Sequence, residues 1–283
     1  MQQRRLDDTP VGAIGLGAMP LSIEGRPDEA QALTTVHAAL DAGVTLVDTA
    51  DAYCLGPDEV GHNERLVARA LASWGGDRDS VLVATKGGHT RPPDGSWALD
   101  GSPEHLRAAC EASLRALGVE AIGLYQLHRP DPQVPYAESV GALEELRAEG
   151  KVRRVGISNA DVDQIELARR TTRLAAVQNE FSPRYRSSKA ELDLCARHGI
   201  AFLPWSPLGG IARAGSLGQE HVAFAEVARE RGVTPQRVCL AWHLAQADVV
   251  VPVPGARRAA SITDSAAAAD LVLTAEELAR LDA

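Results

Sequence analysis

Short apolar runs alternate along this chain with longer segments in which apolar residues recur at every third or fourth position. Short apolar runs with polar flanks are typical of buried β-strands, and the longer periodic segments are typical of amphipathic helices. The pattern therefore predicts eight strands, at residues 13–21, 45–48, 81–86, 122–128, 152–158, 175–179, 201–205 and 249–253.

The helical pattern is clear in residues 28–43, 102–118, 134–150 and 187–199. Gly43, Gly150 and Gly199 stand where a helix commonly ends in a glycine. Ser102 and Pro103 stand in the N-cap and first-turn positions, with an acidic residue after them. These signals place the helices between the predicted strands.

Repeated βα units imply parallel strands joined by right-handed crossovers. Eight units spaced by thirty-odd residues predict an α/β fold of the (β/α)₈ TIM barrel type, with its active site at the C-terminal mouth of the strands. An open doubly wound sheet is the alternative, and the count of eight argues against it. No linker or low-complexity tract divides the chain, so we expect one domain over residues 1–283.

The glycines of "GAIGLG", Gly12, Gly15 and Gly17, do not form a dinucleotide fingerprint. A Rossmann turn needs G-x-G-x-x-G between a strand and a helix, whereas this motif is G-x-x-G-x-G and continues into "AMPL". Three segments after predicted strands are longer than usual loops, at residues 51–62, 87–103 and 209–221. All three follow strand C-termini, so they would surround the mouth.

Composition and charge exclude several classes of protein. The 283 residues are 45% hydrophobic and 24% charged, with a net charge of -9, which gives no basic surface for nucleic acid or an anionic membrane. No apolar stretch approaches the length of a transmembrane helix, and the N-terminus has no apolar signal region. The four cysteines are scattered without metal-ligand spacing, which predicts reduced thiols, a cytoplasmic location and no metal site.

Polar residues that end the apolar strands are the candidates for catalysis. Asp48, Lys86 and His128 each end a predicted strand, and Tyr53 lies on the loop after the second. Each alone has an ordinary structural interpretation, such as a turn cap, a surface charge or a buried histidine. Together they would converge on one mouth, and Lys86 is one of only three lysines in the chain. A buried carboxylate needs a partner, so we expect Asp48 to pair with Lys86.

This grouping predicts reduction of a carbonyl group. The Lys86 ammonium would lower the pKa of Tyr53 from about 10, so that the phenol can give a proton to a carbonyl oxygen, or remove one from an alcohol. His128 would hydrogen-bond the same oxygen. Hydride has to come from a cofactor, because no side chain donates it.

The sequence resembles the aldo-keto reductases along almost its whole length. The resemblance is carried, in the family's order, by "IGLGAMP", "VDTADAYC", "LVATKGG", "GLYQLHRPDP", "GKVRRVGISN", "VQNEFSP", "WSPLGG" and "VPVPGARR". It implies a (β/α)₈ barrel that binds NADP(H), with NAD(H) as the alternative, across the mouth without a Rossmann motif. It also implies a catalytic tetrad of Asp48, Tyr53, Lys86 and His128, acting on a small carbonyl or alcohol substrate.

The resemblance further implies a set of cofactor-binding residues. Ser158, Asn159 and Gln178 would hold the nicotinamide carboxamide, and Trp205 would stack on the ring. Arg257 and Arg258 would clamp a ribose 2′-phosphate, which planar guanidinium groups suit. The rest of the implied set is Gly17, Met19, Asp48, Ser206, Pro207, Leu208, Gly209, Gly255, Ala256 and Ser265.

The chain departs from the family pattern in two places. Where many relatives carry Arg and then Glu-Asn on the last helix, this chain has Ser261, Asp264 and Ser265, which weakens the preference for NADP over NAD. The loop after Tyr53 is longer than in many relatives, and with Cys54 and Trp97 it would shape the substrate pocket.

Two other functions compete with the reductase. A cofactor-binding regulatory subunit with little turnover would keep the same residues. An aldolase-like enzyme would use Lys86 as a Schiff-base nucleophile, although the Asp48 partner would keep that amine protonated. The sequence does not indicate a physiological substrate or an oligomeric state.

Overall fold

A curled sheet of parallel strands forms the centre of the molecule, whose computed structural model describes all residues 1–283. The strands are β1 Gln3–Leu6, β2 Thr9–Gly12, β3 Leu16–Gly17, β4 Leu46–Asp48, β5 Leu82–Gly87, β6 His89–Thr90, β7 Ala98–Leu99, β8 Leu124–Leu127, β9 Val155–Ser158, β10 Leu174–Gln178 and β11 Ala201–Phe202. The order in the central sheet is β3-β4-β5-β8-β9-β10-β11, and every neighbouring pair is parallel.

Helices cover the outside of this sheet. They are α1 Glu29–Asp41, α2 His62–Ser73, α3 Pro103–Leu117, α4 Tyr136–Ala148, α5 Val162–Thr171, α6 Lys189–His198, α7 Leu217–Glu220, α8 Val222–Arg231, α9 Pro235–Leu244, α10 Ala259–Ala266 and α11 Ala275–Asp282. Short 3₁₀ turns occupy Met19–Leu21, Pro57–Glu59, Arg78–Ser80, Ala214–Ser216 and Ala267–Asp270. The four helices predicted from the sequence are confirmed, including the Ser102 cap of α3, whose side chain accepts from the His105 N–H.

An eighth segment closes the sheet into a barrel. On one side the Val251 N–H donates to Phe202 O at 2.9 Å, and on the other the Gly15 and Gly17 N–H groups donate to the Pro252 and Pro254 carbonyls at 2.9 and 3.0 Å. Residues 249–255 form no regular strand, because Pro252 and Pro254 have no N–H to give the ladder. The predicted eight-stranded barrel is confirmed. Its last segment is held to its two neighbours by a few backbone hydrogen bonds and not by a regular strand.

An N-terminal hairpin, which the sequence analysis did not predict, covers the bottom of the barrel. Strands β1 and β2 pair antiparallel, and Leu6 and Val11 pack into the same apolar cluster as barrel residues such as Leu124. The first predicted strand, 13–21, is largely wrong, because only β3 is strand and Met19–Leu21 is a 3₁₀ turn with Pro20 in its first turn.

The loops at the mouth contain short elements of their own. In the segment 87–103, β6 and β7 form a small antiparallel hairpin, and the segment 209–221 contains a 3₁₀ turn and α7. Arg26 and Glu59 join two of the mouth loops through a bidentate ion pair at 2.8 and 3.0 Å. No helix is both long and apolar enough to cross a membrane.

Candidate active site

Lys86 is the centre of a hydrogen-bonded group at the mouth of the barrel. Its ammonium donates to Asp48 Oδ2 at 2.7 Å, to the Thr49 carbonyl at 3.0 Å and to the Tyr53 hydroxyl oxygen at 3.0 Å. An ammonium group has three N–H bonds, so all of its donors are used. The predicted pairing of Asp48 with Lys86 is confirmed, and Tyr53 belongs to the same group.

The local backbone explains why these side chains meet. Asp48 ends β4 and Lys86 lies near the end of β5, and the two strands are paired neighbours. The next residue after β4, Thr49, donates from its hydroxyl to Asn63 Oδ1 at 2.6 Å, and this bond ties the start of the loop to α2. The Tyr53 N–H donates to Ala50 O at 3.3 Å, which turns the chain back over the strand ends.

Lys86 is completely buried but remains charged. Burial lowers the pKa of its ammonium, but the charges and hydrogen bonds of Asp48 and Tyr53 outweigh burial, so the pKa lies above its usual value. A Schiff-base nucleophile needs a neutral amine with a free lone pair. Three satisfied donors and a raised pKa therefore argue against the aldolase-like alternative.

The predicted direction of the Tyr53 pKa shift is wrong. Burial raises the pKa of this phenol above its ordinary value of 10.0, and the attraction of the Lys86 ammonium opposes the rise without cancelling it. Tyr53 is 6% exposed, so removing water from a phenolate costs more free energy than the Lys86 ammonium restores. Tyr53 is accordingly a neutral phenol, with its proton in place.

His128 follows β8 and faces Tyr53, at 5.5 Å between ring centroids. Burial and the nearby Lys86 charge hold the pKa of His128 well below 6.5, so the ring is neutral. Its Nδ1 atom is buried without a hydrogen-bond partner. His89 packs edge-to-face against it, with ring centroids 4.3 Å apart.

The residues expected at the nicotinamide are tied to the tetrad. Gln178 Nε2 donates to the second carboxylate oxygen of Asp48 at 2.8 Å, and the Ser158 hydroxyl donates to the Gln178 carbonyl at 2.7 Å. Asn159 donates to the His128 carbonyl at 3.0 Å and has a positive φ of 58°. A positive φ is strained in a residue other than glycine, and Asn159 adopts it directly after the end of β9.

A cavity of about 230 Å³ opens beside this group. The predicted site residues that line it are Gly17, Met19, Asp48, Tyr53, Trp97, His128, Ser158, Asn159, Gln178, Trp205, Ser206, Pro207, Leu208 and Gly255. The structure thus brings together, on one cavity, side chains from most of the barrel.

The donor set of the cavity fits a nicotinamide group. Trp205 offers a planar indole, and Asn159 and Gln178 are amide side chains of the kind that pair with a carboxamide. The indole Nε1 of Trp205 is buried without a partner, and an unsatisfied donor at a cavity wall suits a polar ligand.

Several predicted residues do not line the cavity. Lys86 lies behind Asp48 and Tyr53, and Gly210 lines the wall where Gly209 was predicted. Cys54 is buried, donates from Sγ to the Gly56 carbonyl at 3.2 Å and does not line this cavity. The others away from the wall are Ala256, Arg257, Arg258 and Ser265.

The Arg257 side chain is hydrogen-bonded within the protein. Its guanidinium donates to the carbonyls of Glu24 and Pro20 at 2.8 and 3.3 Å, so it fastens the segment between β3 and α1. Arg258 is exposed and directly precedes α10. Of the two predicted clamping arginines, only Arg258 is therefore free of such a bond.

The cavity also has lining residues that the sequence analysis missed. They are Pro20, His89, Arg129, Gly210, Ile211, Ala214, Val253 and Pro254. His89 and Arg129 each lie one to three residues beyond a strand-end residue already chosen. Counting a few residues past each strand end would have found both.

Comparison with known proteins gives a consistent assignment. The model of the aldo/keto reductase family matches residues 13–283. A relative from Schizosaccharomyces pombe, described as an uncharacterized oxidoreductase, is 32% identical over 282 residues, which cover 98% of this chain and 88% of the relative.

Two solved structures are similar over nearly the whole chain. The glycerol dehydrogenase of Gluconobacter oxydans is 28% identical with a TM-score of 0.84, covering 99% of this chain and 94% of the other. An aldo/keto reductase of Klebsiella pneumoniae, crystallised with NADP and acetate, is 31% identical with a TM-score of 0.80, covering 96% and 91%.

Proposed function

The chain belongs to the aldo/keto reductase family, and from that membership and the geometry around Tyr53 we propose that it is an NADP(H)-dependent oxidoreductase. It reduces an aldehyde or ketone to an alcohol, reversibly, with Tyr53 as the general acid and base. One observation carries the proposal. Lys86 donates to the Tyr53 oxygen, which leaves the hydroxyl's own proton free for an acceptor in the cavity.

The proton step follows from these contacts. As the carbonyl carbon gains a hydride, its oxygen gains the Tyr53 proton, and the phenolate that remains keeps the 3.0 Å bond from Lys86. The Lys86 ammonium carries a full positive charge, so its attraction to the Tyr53 oxygen grows when the neutral phenol becomes a phenolate. In the reverse direction the phenolate takes the proton of an alcohol.

His128 orients the reacting oxygen. Its ring is neutral and lies beside Tyr53 on the cavity wall, so one ring N–H can hydrogen-bond the carbonyl without delivering a proton. A fixed donor of this kind costs no reorganisation during the reaction.

NADP(H) supplies the hydride when it is bound. Trp205 would cover the nicotinamide ring, and Ser158, Asn159 and Gln178 would meet its carboxamide. Gln178 would have to exchange its bond to Asp48 for that contact. The exposed Arg258, directly before α10, would meet a 2′-phosphate, and the remaining contacts would come from Gly17, Met19, Ser206, Pro207, Leu208, Gly209, Gly255, Ala256, Arg257 and Ser265.

The test is NADPH oxidation by the purified protein with 4-nitrobenzaldehyde, followed at about 340 nm. Replacing Tyr53 by Phe removes the hydroxyl group that carries the reacting proton, so kcat should fall by roughly 10²–10⁴-fold while NADPH binding, measured by fluorescence, is unchanged. Tyr136→Phe is the matched control, because the Tyr136 hydroxyl is buried without a partner and lies outside the cavity.

The outcomes separate the candidate functions. Turnover of Tyr53→Phe near that of the wild type would refute the proposed acid. NADPH binding without turnover on any carbonyl would favour the regulatory subunit. The expectations of one domain over residues 1–283 and of a cytoplasmic location stay predictions.

A further inference from the structure

Arg129 is the only positively charged side chain that lines the cavity. The other ionisable groups on the wall do not supply a free charge. Asp48 is paired with Lys86, and burial lowers the pKa of both His89 and His128, which keeps them neutral. The cavity therefore has a surplus of one positive charge, in a protein whose net charge is -9.

Three other arginines around the mouth, Arg26, Arg91 and Arg257, each have a partner within the protein. Arg26 forms its bidentate pair with Glu59, Arg91 donates to the Leu55 carbonyl at 3.0 Å, and Arg257 holds the Glu24 carbonyl. Arg129 makes no side-chain hydrogen bond or ion pair, and it is exposed.

Two acidic residues near Arg129, Asp131 and Glu180, form no ion pair with it. Both carboxylate oxygens of Asp131 accept hydrogen bonds from backbone N–H groups, those of Gly101 and Gln133, each at 2.9 Å. Burial raises the pKa of Glu180 and the Arg129 charge lowers it, but the two side chains are too far apart to form an ion pair. A guanidinium without a carboxylate partner at a binding cavity suits an anionic ligand.

We propose that Arg129 makes the protein selective for aldehydes or ketones that carry a carboxylate away from the reacting carbonyl. This inference rests on the proposed function, because Tyr53 and His128 place the carbonyl end. Trp97, Ile211 and Ala214 give the same cavity apolar wall, which suits a hydrocarbon or aromatic spacer between the two ends.

The test compares two aldehydes of matched size, 4-formylbenzoate and its neutral analogue 4-formylbenzamide, with NADPH and the wild-type protein. Replacing Arg129 by Gln should lower kcat/KM for the carboxylate by about 10- to 100-fold, the range expected for losing a charge-assisted hydrogen bond. The loss should lie mainly in KM, the amide should be unaffected, and Arg129→Lys should retain part of the selectivity.

Arg153→Gln is the matched control. Arg153 is also exposed and unpaired, but it precedes β9 and so lies at the opposite end of the barrel. The Arg153→Gln substitution therefore removes the same charge as Arg129→Gln, but far from the cavity. A loss of activity on 4-formylbenzoate in this variant as large as in Arg129→Gln would overturn the inference, since a general charge effect would then suffice.

A binding measurement separates this inference from the proposed reaction. Benzoate and benzamide are titrated against intrinsic fluorescence, since Trp97 and Trp205 both line the cavity. If neither aldehyde is turned over but Arg129→Gln weakens benzoate binding and spares benzamide, the anion site stands and the proposed reaction fails. If both aldehydes are reduced and Arg129→Gln affects them equally or not at all, the inference is overturned and the reaction stands.

Discussion

Replacing Lys86 by Met tests the arrangement on which the proposed reaction depends. Methionine has a similar length and no charge, so it can occupy the fully buried position of the lysine chain. The substitution removes all three hydrogen bonds of the ammonium, to Asp48, Thr49 and Tyr53. The phenolate formed at Tyr53 would then lose its only charged donor.

The expected loss can be worked out from the geometry. Two unit charges 3.0 Å apart interact by about 5 kcal/mol at an effective dielectric constant of about 20. Asp48, 2.7 Å from the same ammonium, opposes part of this, because its charge raises the pKa of Tyr53. A net loss of about 3–4 kcal/mol corresponds to a kcat roughly 10²–10³-fold lower.

The assay is steady-state kinetics in both directions across pH. Because Lys86 lowers the pKa of Tyr53, its removal should move the phenol's titration to higher pH, so that alcohol oxidation, which needs the phenolate, requires more alkaline conditions. Losing one partner of a buried ion pair also costs about 3–5 kcal/mol of folding free energy. Folding is therefore checked by thermal melting, with Lys151→Met, which removes two partly exposed ion pairs, as the control.

One result would refute this reasoning. If Lys86→Met is folded and binds NADPH, and its kcat stays within tenfold of the wild type while only KM rises, Lys86 does not stabilise the phenolate. The lysine would then be a structural partner of Asp48 alone.

Two further predictions concern stability. The bidentate pair of Glu277 with Arg231 lowers the pKa of Glu277 from 4.5 to about 2, and a lowered carboxyl pKa stabilises the fold above about pH 4.5 and ceases to do so as pH falls through 2. Glu277→Gln should therefore lower the melting temperature by about 2–4 °C at pH 7, and progressively less below pH 4.5. Gly17→Ala would place a Cβ atom 2.8 Å from a backbone carbonyl where the barrel closes, so it should destabilise the protein by about 1–3 kcal/mol in denaturant titrations.

Each stability prediction has its own check. A melting-temperature difference for Glu277→Gln that does not shrink in acid would show that packing, and not the ion pair, explains the effect. Gly141 lies inside α4 with no neighbouring atom within 4 Å of an added Cβ, so Gly141→Ala should stabilise the protein by about 0.5–1 kcal/mol. If both glycine variants behave alike, close approach at Gly17 is not the cause.

The sequence by itself determined the order of most barrel strands, four of the helices between them, and the meeting of Asp48 with Lys86. The elements are set locally, because the spacing of apolar residues sets the type of element, and the caps Ser102 and Gly199 directly adjoin the start of α3 and the end of α6. The pairing of Asp48 with Lys86 followed from two strand ends that must meet at one mouth. That inference needed only the count of βα units.

Only the tertiary structure decided the features that depend on distant segments. The pKa of Tyr53 rises because loops from elsewhere in the chain exclude water from it, and the strand-end pattern does not contain that burial. The contact of Cys54 with the Gly56 carbonyl, the hairpin under the barrel and the place of Arg129 on the cavity wall also depend on the tertiary structure. Local pattern fixes which elements form, whereas solvent exclusion and the sharing of a cavity arise only when residues far apart in the chain come together.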